Sequence, residues 1–209
     1  MQRLVLFDLD NTLIDLDGAF GTWAAEFTAT HDLGDEGLRW IMDLDIPHRD
    51  LMFRWIKYHF DLGESSDDLW AAYRARMPHL VECRPEVLAM LARLRAQGWK
   101  VGIVTNGTAD NQLGKLRATG LAEAVDGYAL SGVEGIRKPD AALFEIAATR
   151  CGATLAGGGW MVGDNPVADV DGGRAAGLRT IWVTPEPRDS PADHVVRDVL
   201  EAEALISGD

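Results

Sequence analysis

Leu4-Val5-Leu6-Phe7-Asp8-Leu9-Asp10-Asn11-Thr12-Leu13 is an apolar run that delivers two carboxylates, one residue apart, just where the pattern breaks into a polar turn. The apolar part reads as a strand. Side chains at i and i+2 of a strand share a face, so extended geometry would aim Asp8 and Asp10 into one crevice at the strand's C-terminal end. Two like charges that close are unfavourable unless a cation, a proton or chemistry accounts for them. The pair therefore reads as a site. Asp43-Leu44-Asp45 repeats the spacing but lacks the Asn-Thr tail, and Pro47 follows it. Proline disrupts a central strand, and we read this second copy as a decoy.

Two later segments share the form of the first, and a third sets a lysine between them. Val101-Gly102-Ile103-Val104-Thr105-Asn106-Gly107 is another buried-strand run, ending in a hydroxyl, an amide and a glycine. Gly135-Ile136-Arg137-Lys138-Pro139-Asp140 sets a lysine ahead of a Pro-Asp that can open a helix. Trp160-Met161-Val162-Gly163-Asp164-Asn165-Pro166-Val167-Ala168-Asp169 is a strand running into Gly-Asp, with a further acid five residues on. Each piece alone has a bland explanation: a strand-end hydroxyl, a surface lysine, a helix cap at Asp164-Asn165-Pro166. Together, in this order and mostly at strand ends, they point to one shared site.

On these residues the chain resembles the haloacid dehalogenase (HAD) superfamily over nearly its whole length. The four motifs of that family match Asp8-x-Asp10-x-Thr12, Thr105, Lys138 and Gly163-Asp164-x-x-x-x-Asp169. The resemblance implies a doubly wound parallel-sheet, Rossmann-like α/β core over residues 1–14 and 83–209, with an α-helical cap inserted over 15–82. It implies Asp8 as the nucleophile, forming an aspartyl-phosphate, and Asp10 as the acid and base that serves first the leaving group and then water. It implies Mg²⁺ held by the Asp8 and Asp164 carboxylates and the Asp10 main-chain carbonyl. Thr105, Asn106 and Lys138 would bind the phosphoryl group, Asp169 would orient Lys138 or a metal-bound water, and Thr12 would hold the loop. The family's true dehalogenases lack the second aspartate, because a halide leaves without a proton. Asp10 thus favours a phosphatase acting on small phosphate monoesters. A phosphomutase using the same residues is the nearest alternative. A silent binding protein and a dehalogenase rank behind it, as does the phosphonate-cleaving branch, for which Lys57 is the single lysine of the cap segment.

Composition narrows the partners. A net charge of −13 and a pI near 4.7 argue against nonspecific binding to nucleic acid or anionic membranes. No apolar stretch approaches membrane-spanning length, and acids at Asp8 and Asp10 exclude a signal peptide. Cys83 and Cys151 match no metal spacing and read as free thiols of a cytoplasmic protein. His31, His48, His59, His79 and His194 show no zinc spacing. The oligomeric state is left open.

From Pro85 onward, strands and helices alternate as in a parallel sheet. Helices are expected over 85–98, 109–119, 140–150 and 167–176, and strands over 101–105, 128–130, 160–163 and 180–183. Gly157-Gly158-Gly159 precedes a strand rather than a helix, so it reads as a connecting loop and not a phosphate cradle. Residues 15–82 show helical periodicity and many aromatics, among them Phe20, Trp23, Phe53, Trp70 and Tyr73, which read as a bundle core. Arg49, Arg54 and Lys57 are candidates to meet a second anionic group, set against a plain role as solvated helix charges.

Overall fold

All four residues of β1 (Leu4–Phe7) are completely buried, as a strand covered on both faces requires. In the computed structural model, which describes residues 2–46, 49–186 and 189–208, β1 lies inside a six-stranded sheet. The other strands are β2 (Lys100–Thr105), β3 (Gly127–Leu130), β4 (Trp160–Gly163), β5 (Arg179–Val183) and β6 (His194–Val196). The order is β3-β2-β1-β4-β5-β6, and every pairing is parallel. The chain builds outward from β1 on one side through β2 and β3, then returns to its other side with β4. That reversal opens a crevice beyond the carboxyl ends of β1, β2 and β4, the place where open α/β sheets bind ligands. Asp8, Thr105 and Asp164 stand at those three ends.

The chain divides into two compact units, Met1–Asp15 with Glu82–Asp209, and Leu16–Val81. The second unit holds α1 (Leu16–Thr30), α2 (Gly34–Met42), α3 (Arg49–His59), α4 (Ser66–Arg76) and a 3₁₀ turn, Met77–His79. Its interior is aromatic. Trp23 meets Phe20, Phe27, Phe53 and Tyr73 at ring separations of 5.0–5.4 Å, and Trp70 joins through Phe53 and Tyr73. Two of the expected cap cations have local partners. Arg49 stacks on Phe20 at 4.1 Å, and Lys57 Nζ donates to the Leu62 and Glu64 carbonyls at 2.8 Å, closing the turn after α3. Asp43 caps the end of α2, so the second Asp-x-Asp opens no strand; Pro47 and His48 lie outside the described residues.

In the first unit the helices are α5 (Pro85–Ala96), α6 (Ala109–Ala118), α7 (Leu121–Ala124), α8 (Ser131–Glu134), α9 (Ala141–Arg150), α10 (Gly172–Ala175) and α11 (Ala202–Ser207). One sheet face, with Leu4, Leu6, Val104, Ala129 and Met161, packs on Leu143, Phe144, Ala147 and Ala148 of α9. Asp140 caps that helix by accepting from Ala142 N at 2.9 Å. Two expectations need correction. The helix expected over 167–176 is a π-helical turn, Pro166–Asp171, followed by the short α10. The last strand is β6, three residues too brief to stand out in the sequence, rather than β5. Cys83 and Cys151 are free, and burial pushes both thiols up to about 11, which leaves them unreactive at neutral pH. Among the described residues, no helix is long and apolar enough to cross a membrane.

Candidate active site

Asp8 follows the last residue of β1, and its main-chain N still donates to Val162 O of β4 at 2.8 Å. The ladder therefore carries the carboxylate to the rim of the crevice. Lys138 reaches the same point from the loop before α9. Its Nζ donates to Asp8 Oδ1 and Asp169 Oδ1, both at 2.6 Å, and the ammonium is almost wholly buried. Burial alone would lower the Lys138 pKa; the Asp169 and Asp8 carboxylates outweigh it and raise it. Lys138 is a fixed positive charge.

The π-helical turn explains how Asp169 gets there. Asn165 caps the turn, its side chain accepting from Val167 N and Ala168 N at 3.0 and 2.8 Å. The wider i→i+5 closure, seen in Val170 N donating to Asn165 O, brings Asp169 back toward the strand end. Asp169 Oδ2 then accepts from Asn165 N at 3.0 Å. The chain leaves Gly163 no room for a side chain, since a Cβ there would overlap the Asp169 carboxylate. The Asp164 carbonyl is pinned by Trp182 Nε1 at 2.7 Å.

Asp8, Asp164 and Asp169 form an acidic cluster whose nearest oxygens lie within 4.8 Å of one another. Burial pushes the Asp8 carboxyl well above the usual range against the pull of Lys138, with Asp169, Asp164 and Asp10 adding to the rise. Burial, then Asp169, pushes Asp164 up to about 7. Three carboxylates against one ammonium leave the crevice over-supplied with negative charge. A hard cation with oxygen ligands is what such a donor set accepts. Both Asp169 oxygens are already hydrogen-bonded, so Asp8 and Asp164 are the better ligands.

Asp10 has different neighbours. Its Oδ1 accepts from Lys115 Nζ at 2.7 Å and its Oδ2 from Gln112 Nε2 at 3.0 Å. Gln112 Nε2 also donates to Thr105 Oγ1 at 2.8 Å. The two carboxylates of the first motif are therefore anchored by two separate lysines. Asn106 and Lys138 bond reciprocally: Nδ2 donates to Lys138 O at 3.1 Å and Lys138 N to Oδ1 at 2.9 Å. Asn106 thus shapes the loop that presents the ammonium. Thr12 is buried, but its hydroxyl has no hydrogen-bond partner among the described residues. The turn is held instead by Thr12, Leu13 and Ile14 N converging on Leu9 O. His31, His59 and His194 pack against Phe27, Trp40 and Trp160.

The structure thus brings Asp8, Asp164, Asp169 and Lys138 into one cluster and joins Asp10 to Thr105 through Gln112. Gln112 and Lys115 were not foreseen in the sequence. The signal was present: Asn111, Gln112 and Lys115 occupy the buried face of α6, where a 3.6-residue stripe should be apolar.

A sequence model described as haloacid dehalogenase-like hydrolase matches residues 2–177. The chain is 43% identical over 128 residues to the phosphoserine phosphatase of Thermus thermophilus, covering 58% of this chain and 51% of that enzyme. It is 27% identical over 195 residues to the glyceraldehyde 3-phosphate phosphatase of Pyrococcus abyssi, covering 87% and 81%. The chain spans about half the length of several curated relatives it matches. Among solved structures, a HAD phosphatase from Thermococcus onnurineus superposes with a TM-score of 0.71 at 25% identity, covering 100% of this chain and 99% of that one.

Proposed function

Because the chain belongs to the haloacid dehalogenase-like hydrolase family, we propose that it is a Mg²⁺-dependent phosphatase of small phosphate monoesters, acting through an aspartyl-phosphate on Asp8. The observation that carries this reading is the buried Lys138 ammonium, bonded to both Asp8 and Asp169 with Asp164 alongside. Such a cluster has little structural purpose, since apolar packing of the same volume is often as stable as a buried ion pair. It suits a reaction in which a carboxylate must approach a phosphate dianion.

Asp8 supplies the nucleophilic oxygen, and Lys138 fixes its orientation through Oδ1 while opposing the charge of the incoming phosphoryl group. Thr105 donates its hydroxyl to a phosphoryl oxygen, while Asn106 sets the Lys138 loop. Asp10 protonates the departing alkoxide, then takes a proton from the water that hydrolyses the aspartyl-phosphate. Asp169 holds Lys138 in place. Asp8, Asp164 and the Asp10 carbonyl are the residues that would hold Mg²⁺, which when bound neutralises charge on the phosphoryl oxygens. Asp10 also supports phosphoryl transfer over dehalogenation, which needs no proton at the leaving group.

We assign residues 1–14 and 83–209 the catalytic role and 15–82 the cap role, a division supported by the two compact units, whose bounds differ by one residue. The substrate is a small phosphorylated metabolite rather than a nucleic acid or a membrane component, as the charge of −13 favours. Two free thiols suit a reducing, cytoplasmic compartment. The test is phosphate release from p-nitrophenyl phosphate, phosphoserine, glyceraldehyde 3-phosphate and a nucleoside monophosphate, in Mg²⁺ and in EDTA, beside Asp8→Asn. Turnover that needs Mg²⁺ and disappears in Asp8→Asn supports the reading. Turnover that survives Asp8→Asn rejects it, and an isomerised sugar phosphate without free phosphate would indicate the mutase.

A further inference from the structure

We propose that Gln112 is a positioning residue for the phosphatase reaction, locking the Asp10 carboxylate and the Thr105 hydroxyl into one fixed arrangement. The proposal rests on the function inferred above, in which Asp10 moves the leaving-group proton and Thr105 binds the phosphoryl group.

The chemistry of the three partners allows one assignment. Gln112 is almost fully buried, and its terminal nitrogen stands 3.0 Å from Asp10 Oδ2 and 2.8 Å from Thr105 Oγ1. In the form that takes a proton from water, the Asp10 carboxylate accepts hydrogen bonds and cannot donate, so the Gln112 amide nitrogen, not its oxygen, faces it. The amide has two hydrogens, and both are committed: one to Asp10, one to Thr105. Thr105 must therefore accept from Gln112, which turns its own hydroxyl proton away from the amide. That proton is then free for an acceptor-only partner, and a phosphoryl oxygen is one. Gln112 thereby sets the donor direction of Thr105 and the orientation of Asp10 with a single group. Lys115, one helical turn on, holds the other Asp10 oxygen at 2.7 Å.

Neighbouring backbone makes room for this arrangement. A Cβ at Gly107 would stand 2.7 Å from both Cγ and Cδ of Gln112, closer than any side chain tolerates. The residue just past Thr105-Asn106 is thus one that lets the Gln112 side chain lie across the strand end. Buried polar networks of this kind hold geometry only when every member is satisfied.

Leaving-group dependence tests the idea. p-Nitrophenolate departs without a proton, whereas an alkoxide needs one, so in kcat/KM, which ends at leaving-group departure and excludes the later hydrolysis that also uses Asp10, only the second substrate reports on Asp10. Gln112→Met keeps nearly the same volume and removes both donors. Wild type, Gln112→Met, Asp10→Asn and the double variant are compared on p-nitrophenyl phosphate and on an alkyl phosphate, all with Mg²⁺. For Gln112→Met, kcat/KM on the alkyl phosphate should fall about 100-fold and on p-nitrophenyl phosphate about 10-fold or less. The double variant should lose no further selectivity beyond Asp10→Asn, since both changes act through one group. If Gln112→Met does not fold, Gln112→Glu replaces it. That variant opposes the Asp10 charge and should show the same alkyl-selective loss. Equal losses on both substrates, while Asp10→Asn remains alkyl-selective, would overturn the proposal and leave the phosphatase reading standing. If Asp10→Asn itself shows no selectivity, or wild type releases no phosphate, the underlying reading fails and this proposal with it.

Discussion

At the ends of β1, β2 and β4 the buried side chains are charged, amide or hydroxyl: Asp8, Lys138 and Asp169 on one side, Thr105, Gln112 and Lys115 around Asp10 on the other. Inside the helical unit they are rings: Trp23, Phe53 and Tyr73 against Phe20 and Phe27. The two interiors obey different rules. A buried charge is costly unless each oxygen and proton finds a directed partner, so Asp8, Asp10, Asp169, Lys115 and Lys138 are each committed to particular neighbours. Ring packing rewards area and shape, and its arrangements are interchangeable to within a kcal/mol or so each. The crevice therefore declares its chemistry, while the helical unit declares only that it is folded.

Experiments can break or sharpen that contrast. The largest effect is expected at Asp8. Asp8→Asn should lower phosphate release by about 10³-fold or more while metal-free thermal unfolding is unchanged or shifted upward. Retained turnover would mean the cluster is structural. Lys138→Met should abolish turnover and also cost about 3–5 kcal/mol in urea unfolding, because Asp8 and Asp169 lose their shared counter-charge. Adding Asp169→Asn should recover part of that loss; strict additivity would argue against the coupling.

Phe53→Ala probes the other interior. The side chain is fully buried among Trp23, Trp70 and Tyr73, and its removal should cost about 3–5 kcal/mol. Hydrogen exchange should place the loss in α1, α3 and α4. Loss spread equally through β1 and β4 would erase the distinction drawn here.

Asp164 offers a smaller, pH-dependent signature. Its carboxyl is held up to about 7 in the folded chain, against about 3.9 in an unfolded one. Between those values the folded state keeps a proton that the unfolded state releases, so this contribution to stability is complete at low pH and is lost as pH rises toward 7. In EDTA, Asp164→Asn should have a higher Tm than wild type at pH 8 and the same Tm at pH 3. Parallel profiles would mean that burial and the Asp169 charge do not hold the Asp164 proton. Least of all, Lys57→Met should cost about 1 kcal/mol by freeing the Leu62 and Glu64 carbonyls, with turnover unaffected. A hundredfold loss would return that lysine to the chemistry.

The strand-end motifs were legible because chemistry concentrates unusual residues at short spacing. Asp8-x-Asp10, Thr105 and Gly163-Asp164 each interrupt an apolar run, Lys138 stands ahead of a Pro-Asp, and the structure brings Asp8, Lys138 and Asp164 into one cluster. The shape of the turn after β4 was less legible. Residues 167–176 read in the sequence as a glycine-rich helix, and only the folded chain shows that Asn165 opens a π turn that swings Asp169 onto Lys138. β6 escaped notice because three residues at a sheet edge carry almost no periodic signal.

By itself, then, the sequence determined the parallel α/β core, the helical insertion and the identity of the acids and lysine at the strand ends, because these follow from local periodicity and residue type. Tertiary structure alone decided the partners. Asp10 answers to Lys115 and Gln112, residues more than 100 positions away, while Asp8 answers to Lys138. Sequence spacing orders residues along a strand or helix, but which buried charge meets which donor depends on how β1, β2 and α6 come together in space.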